Sequence, residues 1–198
     1  PTSLKYDSAG RIIESRIDSN LVTQFFYDGA DRVIKQIKPG GLVIAYEYDS
    51  FGNVRKITKG QSVVDYKYDR TGRLTSATAY DDANAQPTKF EYDKNARVTK
   101  ITFADNSTEN FKYDAVGKIT EKTTRSGDKI YFGYDNADNL IWQSDDANGN
   151  PDNAAFLIEF EYNPKGAIAY AGKSVNGQTV CQSEFTYNGL GKIVRETT

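Results

Sequence analysis

Nine Asp or Asn residues each follow a tyrosine: Asp7, Asp28, Asp49, Asp69, Asp93, Asp114, Asp135, Asn163 and Asn188. A carboxylate can act as a general acid or base, or ligate a hard cation. Catalytic carboxylates, however, work as unique pairs held at different pKa values. A carboxylate returning at one place in successive segments has the pattern of a structural device, and turn capping is the chemistry it suggests. One stretch differs. In Asp145-Asp146-Ala147-Asn148-Gly149-Asn150-Pro151-Asp152-Asn153, the alternating Asp146, Asn148, Asn150 and Asp152 offer oxygens of the kind Ca²⁺ takes. Pro151 stands where an EF-hand loop needs its sixth-position Gly, and no Glu occupies the twelfth position. The default reading is a solvated loop, so no metal and no cofactor is assigned.

Other chemistries are excluded by composition. The 198 residues include no His, which removes imidazole bases, Ser-His-Asp and Cys-His arrangements and His-ligated metals. Cys181 is the sole cysteine, so it forms no internal disulfide or thiolate cluster. With 25 Lys+Arg against 27 Asp+Glu and no basic run, nothing attracts a phosphate backbone, and nucleic acid is not an expected partner. No segment approaches the roughly 20 apolar residues of a membrane span, and Pro1-Thr2-Ser3-Leu4 does not open a signal peptide. The absence of Met suggests an internal piece of a longer chain.

Aromatic side chains are the remaining candidates for binding, since bare rings can stack on a sugar. Seventeen of the 25 aromatics fall in two repeated columns, which reads as packing. Of the eight outside them, the better candidates are Phe51, Tyr80, Phe103, Tyr131, Trp142 and Tyr170. Trp142 and Tyr170 occupy places where other segments carry Glu, Lys, Ser or Arg. Trp142, Tyr170 and Tyr80 are therefore the candidate ligand-binding residues.

The elements that position these groups follow from the repeat. The tyrosines are Tyr6, Tyr27, Tyr48, Tyr68, Tyr92, Tyr113, Tyr134, Tyr162 and Tyr187, spaced by 21, 21, 20, 24, 21, 21, 28 and 25 residues. Two residues before each stands Leu4, Phe25, Tyr46, Tyr66, Phe90, Phe111, Phe132, Phe160 or Phe185, and six after stands an aliphatic, from Ile12 to Ile193. Four after stands Gly10, Gly52, Gly72, Gly117, Gly166 or Gly191, with Asp31, Ala96 and Asp138 in the other three. The next residue is mostly basic or polar, with Ala167 the exception. Phe-x-Tyr alternation is the period of a strand, Asp then opens a turn, and Gly supplies a positive φ, as in the longer hairpin loops built on a type I turn with a bulge. Ala tolerates that conformation less well than Asp, which makes Ala96 the weakest turn. Further breakers, among them Ser19-Asn20, Pro39-Gly40-Gly41 and Asn176-Gly177, close each return strand. Two strands of about seven or eight residues and two turns account for the period, giving an antiparallel meander without helix.

The motif aromatic-x-Tyr-Asp-x-x-Gly-Arg-aliphatic resembles the YD repeat of the RHS family, found in bacterial polymorphic toxins, insecticidal toxin complexes and teneurins. Tyr6-Asp7-Ser8-Ala9-Gly10-Arg11-Ile12 and Tyr68-Asp69-Arg70-Thr71-Gly72-Arg73-Leu74 carry it most clearly, and it extends from Leu4 to about Arg195. The resemblance implies a broad sheet that spirals into a hollow shell around a toxin or unfolded polypeptide. It also implies a secreted or cell-envelope setting, as part of a larger exported protein. Members with a cargo carry a self-cleaving Asp-Pro-x-Gly segment after the repeats. Here Asn163-Pro164-Lys165-Gly166 lies in the ordinary turn register with Asn for Asp, so no protease activity is carried over.

The expectation is thus an all-β chain, one YD-repeat array over residues 1–198. It has nine hairpins and about eighteen strands in a twisted, spiralling antiparallel sheet, part of a shell or solenoid. Longer loops fall at 81–87 and 145–153, and their likeness suggests a three-hairpin duplication. Expected partners are adjacent repeats, an enclosed cargo, and other copies through open sheet edges. A surface scaffold binding glycan or protein through loops and aromatics is the alternative.

Overall fold

The computed structural model describes residues 3–18, 21–80, 85–150 and 152–198. The breaker Ser19-Asn20, the first four residues of the 81–87 loop, and Pro151 lie outside the described residues, and the likeness of the two loops falls there too. Among the described residues are eighteen β-strands, one short 3-10 turn at Pro39–Gly41 and no α-helix. No described helix is long and apolar enough to cross a membrane.

The chain forms two compact units. The first, residues 1–91 with 102–106, holds β1 (Ser3–Tyr6), β2 (Ile12–Arg16), β3 (Val22–Tyr27), β4 (Val33–Ile37), β5 (Val43–Tyr48), β6 (Val54–Lys59), β7 (Ser62–Tyr68) and β8 (Leu74–Ala79), with β9 (Thr88–Tyr92) at its boundary. The second, residues 92–101 with 107–198, holds β10 (Val98–Thr102), β11 (Thr108–Tyr113), β12 (Ile119–Thr123), β13 (Lys129–Tyr134), β14 (Leu140–Ser144), β15 (Phe156–Tyr162), β16 (Ile168–Val175), β17 (Gln178–Tyr187) and β18 (Ile193–Thr197). Within each unit successive strands pair antiparallel.

Most strands have five or six residues, shorter than the seven or eight expected. The reason is the turn. Each tyrosine ends its strand, the next five residues form the loop, and the return strand starts at the sixth. In every described hairpin register the ladder also slips by one residue at the tyrosine. Lys5 pairs with Glu14 but Tyr6 with Ile12, and Glu161 pairs with Tyr170 but Tyr162 with Ile168. This is a β-bulge, which adds local twist to each hairpin.

The bulge sorts side chains onto two faces. On one lie the motif tyrosines, the apolar residues two before them and the aliphatics six after. On the other, the residue before each tyrosine meets the one eight after it. That face carries complementary pairs such as Lys5 with Glu14 at 3.1 Å, Lys112 with Glu121 at 2.7 Å, and Lys35 over the Phe26 ring at 5.1 Å. Most strand residues are half-buried, and among the described residues the buried hydrophobic ones are Ala154, in the 145–155 loop, and Leu157, at the start of β15.

Candidate functional site

The repeated turn is the most elaborate polar arrangement in the molecule, and one hairpin illustrates it. The Asp7 N–H donates to the Arg11 carbonyl at 2.9 Å, and the Gly10 N–H donates to the Asp7 carbonyl at 3.1 Å. Gly10 takes φ +82, and Asp31, Ala96 and Asp138 take φ 62, 63 and 71 at the same place in their own turns. Asp7 Oδ1 accepts the backbone N–H groups of Ala9 and Arg11 at 3.0 and 2.9 Å, while Oδ2 accepts Arg11 Nε at 2.7 Å. Both oxygens of the carboxylate are thereby engaged. The same set recurs at Asp28, Asp69 and Asp93 with Arg32, Arg73 and Arg97. Asp49 and Asp135 hold Asn53 and Asn139 instead.

The electrostatics follow from these bonds, since hydrogen bonds to a carboxylate favour its charged form. Side-chain donation from Arg32, Asn53 and Asn139 is the largest cause lowering Asp28, Asp49 and Asp135. For Asp7 and Asp93 the largest is the backbone N–H of Arg11 or Arg97, and for Asp69 the Thr71 hydroxyl. At Asp114 burial pulls upward, and the backbone N–H groups of Lys118, Gly117 and Val116 outweigh it. Carboxylates committed in this way are poor general bases, because each holds its charge against protonation.

A second set of bonds joins each hairpin to the one before. Tyr27 donates its hydroxyl to the Ile12 carbonyl at 2.7 Å, and Tyr48 does so to Val33 at 2.7 Å and Tyr68 to Val54 at 2.8 Å. In the second unit Tyr113, Tyr134, Tyr162 and Tyr187 reach Val98, Ile119, Leu140 and Ile168 at 2.7, 3.0, 2.9 and 2.7 Å. Burial raises the pKa of Tyr48, Tyr68, Tyr113 and Tyr134, favouring the neutral donor. The cation of one turn lies over the tyrosine ring of the next. Arg11, Arg32 and Arg97 stand 4.7, 4.5 and 4.6 Å from the centroids of Tyr27, Tyr48 and Tyr113, and Lys118 stands 4.8 Å from Tyr134. Gly52, Gly72, Gly117, Gly166 and Gly191 take positive φ in the corresponding turns. Tyr92 is half-buried at the end of β9, and Tyr6 is 54% exposed.

The loop and the single aromatics form a different region. Asp146 Oδ2 accepts the N–H groups of Asn148 and Asn150 at 2.8 and 3.0 Å, and Asn150 Oδ1 accepts that of Asp152 at 3.0 Å. These oxygens shape the loop, which folds back over Trp142. A Cβ on Gly149 would lie 2.6 Å from the indole, and one on Gly133 of β13 only 2.1 Å from it. Likewise the Tyr170 ring runs along its strand over Gly172, where a Cβ would meet the hydroxyl at 2.1 Å. Trp142 and Tyr170 nevertheless come together, lining a recess of about 480 Å³ with Glu159 and Glu161. Tyr80 belongs to the first unit, where it is 47% exposed and its hydroxyl bonds the Asp65 carboxylate.

The turn tier and the hairpin-to-hairpin hydroxyl ladder define the repeat of this chain. A family profile described as Teneurin YD-shell matches residues 3–151. The chain belongs to that family. Among curated YD-repeat relatives, the tRNA nuclease WapA of Bacillus subtilis (strain 168) is 34% identical over 98 residues, which is 48% of this chain and 4% of that protein. The tRNA3(Ser)-specific nuclease WapA of Bacillus spizizenii is 33% identical over the same length. Among solved structures, TcdB2-TccC3 without its hypervariable C-terminal region matches this YD-shell chain with a TM-score of 0.74 at 15% identity, over 98% of this chain and 12% of that one. The Photorhabdus luminescens Tc holotoxin pore matches with 0.64 at 11%, over 99% and 12%. Those likenesses concern the fold, and the YD-shell chain spans a small part of each relative.

Proposed function

We propose that this segment forms part of the wall of a hollow β-shell that encloses a toxin or unfolded polypeptide, and that it performs no chemistry of its own. The observation that carries this reading is the assignment of the repeat's polar groups. The motif carboxylates hold their own turns, the basic side chains hold carboxylates and cover rings, and the tyrosine hydroxyls link hairpins. Membership of the YD-shell family supports it. The nuclease activity named for the WapA proteins belongs to chains of which the matched stretch is 4%. In this reading the parent protein is exported and acts outside the cytoplasm or at the cell surface.

The test uses the full-length protein that carries this segment. Added protease should leave an enclosed polypeptide intact, and the paired substitution Tyr68→Ala with Tyr113→Ala should expose it. A polypeptide digested equally fast with and without those substitutions would rule the wall reading out.

The recess shared by Trp142 and Tyr170 favours a second reading, a surface scaffold that binds glycans or a protein partner. Retention on a glycan array that falls in both Trp142→Ala and Tyr170→Ala would support it. An array without signal for the unaltered chain would remove it.

A further inference from the structure

We infer that Asn188 is a site of spontaneous covalent modification, an asparagine that its turn activates to become an acid. The reaction needs a backbone nitrogen as nucleophile and a side-chain amide as electrophile. The nitrogen of the following residue bonds to Asn188 Cγ, its proton passes through solvent to Nδ2, the Cγ–Nδ2 bond breaks, and ammonia leaves. The cyclic imide so formed takes up one water. Addition at Cγ gives aspartate, addition at the backbone carbonyl carbon gives isoaspartate, and nothing is oxidised or reduced.

Glycine is the least hindered residue to supply that nitrogen, and the chain has three such pairs: Asn148-Gly149, Asn176-Gly177 and Asn188-Gly189. Their surroundings differ. Gly189 is exposed, its N–H meets no acceptor among the described residues, and a Cβ built on it would find nothing within 4 Å. The nucleophile is therefore free and open to water. The electrophile beside it is polarised, because Asn188 Oδ1 accepts the backbone N–H groups of Leu190 and Lys192 at 3.0 Å each. Those bonds assign the orientation of the amide. They also place two donors on the oxygen that becomes negative as the nitrogen adds, inside the range of about 2.7–3.1 Å at which an oxyanion hole works. At Asn148 the nucleophile is committed: the Gly149 N–H donates to the Asp146 carbonyl at 3.1 Å, and Gly149 lies against the Trp142 indole. At Asn176, in the tight turn between β16 and β17, no donor among the described residues reaches the side-chain oxygen. Asn163 is the control within the repeat. Its Oδ1 accepts the N–H groups of Lys165 and Ala167 at 2.9 and 3.1 Å, the same polarisation, but the next residue is Pro164, whose nitrogen carries no hydrogen.

The aspartate product completes the pattern of the array. Seven of the nine motif turns carry Asp after the tyrosine, and Asn188 is one of the two exceptions. Five residues after the tyrosine, Arg11, Arg32, Arg73 and Arg97 pair with the carboxylate of their own turn at 2.6–2.7 Å. Lys192 holds that place in the last turn, opposite an uncharged amide. Conversion of Asn188 to aspartate supplies the carboxylate that Lys192 lacks. The reaction needs neither cargo nor partner, so it stands apart from the wall reading.

The test incubates the whole folded chain in mildly alkaline buffer and follows it by peptide mass spectrometry, with fragmentation assigning each exchange of NH₂ for OH to its residue. Asn188 should convert severalfold faster than Asn148 and Asn176, and Asn163 should not convert. In denaturant the hydrogen bonds are gone, and the rates of the three Asn-Gly pairs should converge. That comparison separates activation by the fold from the Asn-Gly sequence itself. Gly189→Pro copies the Asn163-Pro164 turn and should abolish the conversion while keeping the circular dichroism spectrum. Pro164→Gly copies the Asn188-Gly189 turn and should bring conversion to Asn163. Three results would overturn the inference: no faster conversion at Asn188 than at the other two pairs in the folded chain, a ranking that persists unchanged in denaturant, or a folded Pro164→Gly chain in which Asn163 stays intact.

Discussion

The tyrosine of the repeat differs from a phenylalanine by one oxygen, and that oxygen binds a strand carbonyl of the preceding hairpin in each described pair. A ring with no hydroxyl would still fill the space, leaving the carbonyl without its donor. For Tyr68→Phe the bond to Val54 is lost, at a cost of about 0.5–1.5 kcal/mol. Chemical denaturation should show the midpoint falling with the slope unchanged, and an unaltered midpoint would mean the bond contributes nothing net. The carboxylates make a pH prediction. The folded-state pKa values of Asp7, Asp28, Asp49, Asp69, Asp93, Asp114 and Asp135 lie below the ordinary value. Their contribution is therefore fully present above the unfolded value of about 3.9 and is lost as pH falls through the folded values. The half-buried tyrosines act in the opposite direction. With pKa values raised, their contribution holds below about 10 and is lost as pH rises through the folded values. With no His to titrate between, melting temperature should stay flat from about pH 5 to 9. A slope inside that window would contradict the assignment. The capping role of Asp was readable from its place after each tyrosine. The receiver of each tyrosine hydroxyl was not, because it sits in another hairpin, and periodicity within one segment carries no register between two.

At the scale of the element, the hairpin and the presence of a bulge at its turn were legible, but the effect of that bulge on which face the return strand presents was not. A clue stood in the chain: Ile12-Ile13, Val33-Ile34, Leu140-Ile141 and Ile193-Val194 put two aliphatics in succession where strict alternation would place one. The extra residue turns the following side chains to the other face, which is how Trp142 comes to lie opposite Gly133 rather than beside Phe132. Nor did the sequence reveal that the 145–153 loop covers that indole. A Gly at the right distance in space has no signature along the chain. This arrangement makes Gly133 a packing residue. Gly133→Ala would set a Cβ 2.1 Å from the indole, so the ring must leave its place. Overpacking of this kind costs about 1–3 kcal/mol. Trp142 is the sole tryptophan, so its fluorescence reports the displacement directly. The emission should shift to the red as the indole moves toward water, and an unchanged spectrum with unchanged stability would show that the strand has room to yield.

At the scale of the whole molecule, the ladder has a direction. The hydroxyls of Tyr27, Tyr48, Tyr68, Tyr113, Tyr134, Tyr162 and Tyr187 reach back to the hairpin before them, and by the same pattern the first hairpin presents a donor, Tyr6, and the last an acceptor, the Ile193 carbonyl. Every residue of β1 and of β18 is exposed, including Leu4, Tyr6, Ile193 and Val194. Exposed strands of this kind invite pairing with another chain. The two surfaces are complementary to each other rather than to themselves, since β18 of one copy can pair with β1 of the next as successive hairpins do within a unit. Contacts between unlike surfaces do not close into a dimer unless a rotation closes the ring. The isolated chain should therefore associate progressively, its mean mass rising with concentration in sedimentation or light scattering. Val194→Lys places a charge on the exposed strand and should shift that rise to higher concentration, while Tyr6→Phe, which removes the leading donor, should weaken it less. A single monomer mass over the whole range would show that these strands are protected by something other than a neighbouring copy. A fixed dimer would point to a two-fold contact elsewhere, because a head-to-tail ladder has no reason to stop at two.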